Sequence, residues 1–302
     1  MLKIEQLQQK FGVEGAVRIE AGRGSLPKIV VATDLGSAEI YLFGAQVAQF
    51  QPRGAAPVLF LSRSSFFDGR KPIRGGIPLV FPWFGPRADL PESPPHGFAR
   101  TRDWEIESCD ARADGSVRIV LASGGDDATM RLWPHSFSLR FIVIVSRTLD
   151  ATLEVRNISK GDVRFEDALH TYLAVGDVRS ISVEGLDGAD YVDRADGEKR
   201  KKEQAKVIGL TGETDRLYYS TAMKVMVRDP ALKRSIIVEK EHSGATVVWN
   251  PWSEKSAQMK DMGPDEWQSM VCVETANARD CAVQLPANAT HRMSARIGVA
   301  AL

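Results

Sequence analysis

Residues 137–156 read F-S-L-R-F-I-V-I-V-S-R-T-L-D-A-T-L-E-V-R, and their period of two decides the fold class. Phe137, Leu139 and Phe141 fall on one side of an extended chain, Ser138 and Arg140 on the other. Beyond a turn placed at L-D-A, Leu153 and Val155 alternate with Thr152, Glu154 and Arg156. Successive side chains leave a strand on opposite faces, so this alternation is that of strands with one buried face. Two such runs across a short turn predict an antiparallel hairpin.

The same habit extends in both directions. Strand-like runs precede the hairpin at 28–33, 38–43, 46–51, 57–62, 104–108 and 117–121, and follow it at 163–175, 180–183, 224–228, 235–240, 245–249, 269–274 and 291–297. Turn signals such as D-L-G and P-R-G separate them. Ile4, Leu7 and Phe11 recur at helical spacing, which predicts a short amphipathic helix over the first dozen residues. No long helix, βαβ alternation, internal repeat or dividing linker is visible. The expectation is an all-β protein, one large antiparallel β-sandwich over residues 1–302 with a short N-terminal helix. The basic run K-R-K-K at 199–202 reads as a solvated loop.

Composition narrows the function classes. A hydrophobic fraction of 43% and a charged fraction of 26% are those of an ordinary globular chain able to bury a core. Lys plus Arg equals Asp plus Glu at 39 each, so no global field exists to hold nucleic acid or an anionic membrane, and any anion binding is local. Cys109, Cys272 and Cys281 lack the close paired spacing of a zinc site or redox dithiol, which suits a reducing, cytoplasmic compartment. The N-terminus has no apolar stretch of signal-peptide length, and no run approaches the length of a membrane span.

Residues 74–104 break the strand pattern. Six prolines and Gly75, Gly76, Gly85 and Gly97 make this a shaped loop carrying the aromatics Phe81, Trp83 and Phe84, the cations Arg74, Arg87, Arg100 and Arg102, and His96. Stacking surfaces with guanidinium groups suit a polar, anionic ligand, although surface arginines on a long ordered connection give the same composition. His96 is read either as a ligand contact or as a turn residue.

Common nucleotide, zincin and hydrolase motifs are absent. What remains is histidine and carboxylate on strands. His170 and Tyr172 share a face in F-E-D-A-L-H-T-Y-L, where a histidine is either a packed groove residue or a catalytic one. Glu274 ends the apolar run M-V-C-V-E, and a carboxylate delivered into a buried strand needs a partner or a purpose. Both side chains have pKa values tunable toward neutrality, so together they allow paired acid and base work on a small polar substrate. Trp249 and Trp252 offer a flat surface to a sugar ring or simply fill core, and Asp215 and Asp261 are loop-end groups suited to hydroxyl recognition. His135 reads as structural.

Read jointly, K-P-I-R-G-G-I-P-L-V-F-P-W-F-G, H-G-F-A-R-x-x-x-W, A-L-H-T-Y, E-x-D-R-x-Y, V-W-N-P-W and M-V-C-V-E occur in this order over about residues 70–275. Together they resemble the aldose 1-epimerase (mutarotase) superfamily, in particular its D-hexose-6-phosphate mutarotase branch. The resemblance implies a galactose mutarotase-like supersandwich and interconversion of the α and β anomers of glucose 6-phosphate and related sugars. It further implies His170 as general acid, Glu274 as general base, Arg74 and Arg100 as phosphate-binding arginines, and Asp215 as a sugar contact. No metal or organic cofactor is implied, and the expected partner of a monomer is a small sugar phosphate. Pro95 stands where the branch commonly has a substrate-binding Gln, with Arg87 and Arg102 nearby as candidate replacements. Two other readings stay open: a sugar-binding module without turnover, and an epimerase of free aldoses.

Overall fold

The computed structural model describes residues 3–219 and 222–302; Met1 and Leu2, the first positions of the predicted N-terminal helix, lie outside the described residues. That helix spans Ile4–Phe11 and buries Leu7 against the strands. Two large sheets face each other. The nine-stranded sheet runs in the spatial order Val207–Gly209, Ser182–Glu184, Lys224–Asp229, Arg234–Glu241, Thr290–Ala301, Leu149–Asn157, Phe137–Val145, Val117–Gly124 and Glu105–Ala111. The eight-stranded sheet runs Lys199–Lys202, Asp190–Asp193, Thr214–Tyr219, Ala245–Asn250, Met270–Asn277, Asp167–Leu169 and Leu79–Val80, with Tyr172–Ala174 also on Met270–Asn277. A four-stranded meander, from Val17–Ala21 to Gln46–Pro52, completes an antiparallel β-sandwich.

The hairpin that decides the fold spans Phe137–Val145 and Leu149–Asn157. Its turn is Ser146, Arg147 and Thr148, not L-D-A. Leu149 and Ala151 are buried and prolong the ladder from Val145↔Leu149, while the Ser146 hydroxyl closes the polar turn by accepting from the Thr148 amide at 3.0 Å. Phe137, Leu139, Phe141, Leu153 and Val155 all enter the core, as their alternation predicts.

Other expectations need correction. Residues 57–62 form no continuous strand, because their amides bond to changing partners: Val58 to Phe50, Phe60 to Tyr172 and Ser62 to Arg74. The run 163–175 divides into Val163–Phe165, Asp167–Leu169 and Tyr172–Ala174, with a local turn where the Thr171 amide bonds the Leu169 carbonyl. Lys199–Lys202 is an edge strand and not a loop; it pairs with Asp190–Asp193, and Lys201 meets Asp193 and Asp196 at 2.7 Å. Asp215 lies within the strand Thr214–Tyr219 and not at a loop end.

The loop 74–104 is anchored from inside. Phe81 is fully buried and packs against the rings of Phe98, Trp133, Phe137 and Phe165 at 5.3 to 6.0 Å; Trp83 is 7% exposed and donates from Nε1 to the Pro94 carbonyl. These two aromatics are therefore core, not ligand-stacking surfaces. Burying such a side chain stabilises by roughly 1.5–3 kcal/mol, which fixes the loop to the sandwich. Gly97 is needed for close approach: its φ is +73° and an added Cβ would lie 1.9 Å from the Phe81 carbonyl oxygen.

Candidate active site

Strand register gathers the site. On the central strand Met270–Asn277, buried along its whole length, Cys272, Glu274 and Ala276 point to one face. Pairing carries that face outward, from Cys272 to Trp249 and then to Asp215, and on the other side from Cys272 to Tyr172. Ala168 pairs with Ala276, so His170 continues the same face next to Glu274. The loop 74–104 covers this face. Together they form an open cavity of about 260 Å3 lined by Arg74, Phe84, Pro95, His96, Arg100, His170, Arg194, Asp215, Trp249, Lys255 and Glu274.

At its floor, His170 Nε2 lies 3.4 Å from Glu274 Oε1, the two residues being 7% and 2% exposed. Burial pushes the Glu274 carboxyl well above the ordinary value, and neighbouring Asp215 adds to the effect. Burial, aided by Arg100 and Arg74, pushes the His170 imidazole well below its ordinary value. Both directions favour the neutral form of each group. His170 Nδ1 and Glu274 Oε2 are buried without hydrogen-bond partners, as are Asp215 Oδ1 and Arg100 Nε. Four such atoms on one cavity are unusual, since buried polar atoms are normally paired.

The cations are held in different ways. Arg74 donates from Nε and Nη2 to Asp261 Oδ2 at 3.1 and 2.9 Å, and from Nη1 to the Tyr172 hydroxyl at 2.8 Å. Burial opposes its charge, yet Tyr172 and Asp261 hold its pKa above the ordinary guanidinium value. Asp261 thus fixes an arginine. Arg100 donates from Nη2 to the Pro95 carbonyl at 2.8 Å, and burial, with Arg74 adding to the effect, pushes its pKa down to about 10. Pro95 therefore contributes its backbone oxygen to orient Arg100 at the position where a glutamine side chain was expected.

His96 adopts φ +65°, accepts from the Gly85 amide at Nδ1 (3.3 Å), and packs edge-on against Phe84 and His170. Burial and Arg100 push its pKa well down. It serves the loop turn and the cavity wall together. Arg87 and Arg102 are turned away from the cavity: Arg87 pairs with Asp89 and bonds the Leu132 carbonyl, and Arg102 pairs with Asp126 and bonds the Gly124 carbonyl. Neither replaces the missing glutamine.

Sequence reading missed Arg194 and Lys255. Arg194 Nη1 lies 3.5 Å from Asp215 Oδ1 with its guanidinium over the Phe84 ring; Lys255 pairs with Glu213 at 2.6 Å. It also missed Cys272, whose sulfur lies with ligand atoms of His170 and Glu274 in a group no wider than 4.8 Å. That is a possible metal-donor set, but Arg74, Arg100 and Arg194 act on His170 from nearby, and their charge opposes a divalent cation. A larger trough of about 600 Å3 on the nine-stranded sheet holds ion pairs such as Arg140 with Glu107 at 2.7 Å, and no histidine lines it.

The chain belongs to the aldose 1-epimerase family, whose description matches residues 27–297. Among its relatives, a protein of Escherichia coli K12 provisionally named glucose-6-phosphate 1-epimerase is 36% identical over 255 residues, 84% of each chain. A protein of Cenchrus ciliaris with the same provisional name is 36% identical over 249 residues, 79% of this chain and 74% of its own. A crystal structure of a Salmonella typhimurium protein described provisionally as a mutarotase superposes with a TM-score of 0.89 at 30% identity, covering 97% of this chain and 96% of that one. The sandwich is thus of the galactose mutarotase-like kind.

Proposed function

We propose that the protein is a hexose-6-phosphate mutarotase (glucose-6-phosphate 1-epimerase) in which Glu274 is the general base and His170 the general acid. The carrying observation is the buried pair, Nε2 to Oε1 3.4 Å, on a cavity that also holds Arg74, Arg100, Arg194 and Lys255. The provisional names of the relatives support the same substrate class.

Exchanging anomers requires the C1 hydroxyl to lose a proton while the ring oxygen gains one. Glu274 takes the first and His170, as imidazolium, supplies the second, giving an open-chain aldehyde that rotates and recloses with roles reversed. The proton count is constant: a Glu274 carboxylate and a His170 imidazolium become a carboxylic acid and a neutral imidazole. Burial pushes both groups toward that neutral pair, so desolvation favours the proton arrangement that ring opening creates. Each well-placed acid or base is worth about 10²–10⁴ in rate.

The cavity lies at the small end of ligand pockets, which suits one monosaccharide. Arg74, pre-oriented by Asp261 and Tyr172, and Arg100, with an unpaired Nε, are the proposed phosphate grip, since a guanidinium meets a phosphate bidentately. Asp215 and His96 are proposed sugar contacts. We further take residues 1–302 as one domain acting as a cytoplasmic monomer on a diffusible sugar phosphate, with no metal, organic cofactor, nucleic-acid or membrane partner. The free thiols of Cys109, Cys272 and Cys281 and the balanced charge accord with this, and among the described residues no helix is long and apolar enough to cross a membrane.

The test is the rate at which freshly dissolved α-glucose 6-phosphate reaches anomeric equilibrium, followed by NMR beside the same measurement on glucose. Acceleration of the phosphorylated sugar well beyond that of glucose is expected. Equal acceleration of both would make the protein an epimerase of free aldoses, and tight binding without acceleration would make it a binding module.

A further inference from the structure

The strand Tyr172–Ala174 brings one side chain into contact with two residues that line the cavity, His170 and Arg74. The Tyr172 ring lies nearly parallel to the His170 imidazole, with centroids 4.8 Å apart and planes inclined by 10°, and edge-on to Trp249 at 5.9 Å. Its hydroxyl accepts from Arg74 Nη1 at 2.8 Å, while the other side of that guanidinium is held by Asp261. The residue is 1% exposed, so neither its ring nor its hydroxyl has freedom to move aside. Given the hexose-phosphate reading above, we propose that Tyr172 is a positioning residue with two separable duties: its ring sets the plane of the His170 imidazole, and its hydroxyl sets the guanidinium of Arg74 that meets the phosphate.

The geometry supports a division of labour. An offset, nearly parallel stack restricts rotation of the imidazole about its Cβ–Cγ bond. His170 Nδ1 has no hydrogen-bond partner, so the ring is held by Glu274 at Nε2, 3.4 Å away, and by its aromatic neighbours, of which Tyr172 at 4.8 Å is nearer than His96 at 5.6 Å or Trp249 at 6.1 Å. The hydroxyl bond to Arg74 spans elements 98 residues apart in sequence and joins the covering loop to the sheet.

The experiment compares Tyr172→Phe, which keeps the ring, with Tyr172→Leu, which removes both contacts. Anomer exchange of glucose 6-phosphate and of glucose is measured across pH, and the His170 ring is titrated by NMR in the absence of sugar. The groups that set that titration are Arg74, His96 and Arg100 from the loop, Arg194 from its hairpin, and Tyr172, Cys272 and Glu274 from the sheet. Tyr172→Phe is expected to raise KM for glucose 6-phosphate about tenfold, with kcat and the pH profile held within about twofold. Tyr172→Leu is expected also to lower kcat at least about tenfold and to shift the His170 titration. A Tyr172→Phe protein with unchanged KM overturns the hydroxyl's duty. A folded Tyr172→Leu protein with the wild-type His170 titration and kcat overturns the ring's. Should wild type accelerate neither sugar, the functional reading fails; the His170 titration and calorimetric affinity for glucose 6-phosphate still decide the two duties of Tyr172.

Discussion

The central hairpin of the nine-stranded sheet and the face of the eight-stranded sheet beneath the covering loop solve the polar-group problem in opposite ways. On the hairpin of Phe137–Val145 and Leu149–Asn157 in the nine-stranded sheet, Arg140 and Glu154 lie on the outer side and are matched: Arg140 bonds Glu107 twice, at 2.8 and 2.7 Å, and Arg292 bonds Glu154 at 2.7 Å. Its inward face is apolar, from Phe137 to Val155. On the other sheet, His170, Asp215 and Glu274 are buried with atoms left unpaired. One surface is arranged for stability, whereas the other holds titratable groups whose pKa values burial displaces, Glu274 upward and His170 downward.

Substitutions sharpen the contrast. The largest effect is expected for His170→Ala, which should lower the rate of anomer exchange by about 10²–10⁴ while leaving the denaturation midpoint little changed. Leu153→Ala, on the nine-stranded sheet, should reverse that pattern. It should cost about 2–5 kcal/mol in denaturant unfolding and leave the pH profile of the remaining folded enzyme where it was. Equal damage to stability from both changes would erase the distinction between the two surfaces.

Arg74→Ala is expected to raise KM for glucose 6-phosphate by about 10- to 100-fold and that for glucose far less, as steady-state kinetics would show. Equal effects would mean that Arg74 only shapes the loop. The smallest effect concerns stability against pH. The folded-state pKa of Glu274 is raised, so the folded protein holds this proton more tightly than the unfolded chain. The resulting stabilisation is complete below the ordinary carboxyl value of 4.5 and is lost as pH rises through the raised one. Glu274→Gln has no such proton to lose, and thermal melts should show it more stable than wild type at neutral pH, with the difference shrinking in acid.

Alternation made the sandwich legible, and it worked best where one face is buried, as in Phe137–Val145. It worked least where chain partners change, as over 57–62, or where an edge strand is polar on both sides, as in Lys199–Lys202. At the site, His170 and Glu274 stood out because a titratable group interrupts an apolar run. His96, Arg74, Arg100 and Asp215 lie on the same cavity. Arg194 and Lys255 carried no signal, since their place depends on which distant strands pair, whereas Cys272 shares the face of Glu274 by strand period alone. The loop aromatics misled for a related reason: Pro- and Gly-rich sequence reveals a fixed backbone but not which of Phe81, Trp83 and Phe84 turns inward. Only Phe84 reaches the cavity.

The most direct measurement is NMR anomer exchange of glucose 6-phosphate by Glu274→Gln, with its affinity for the sugar measured by calorimetry in the same buffer. The account predicts exchange at the uncatalysed rate with affinity within about tenfold of wild type, because a neutral amide keeps the shape of the site and removes the base. Exchange at the wild-type rate would contradict it and remove the His170–Glu274 pair from the chemistry.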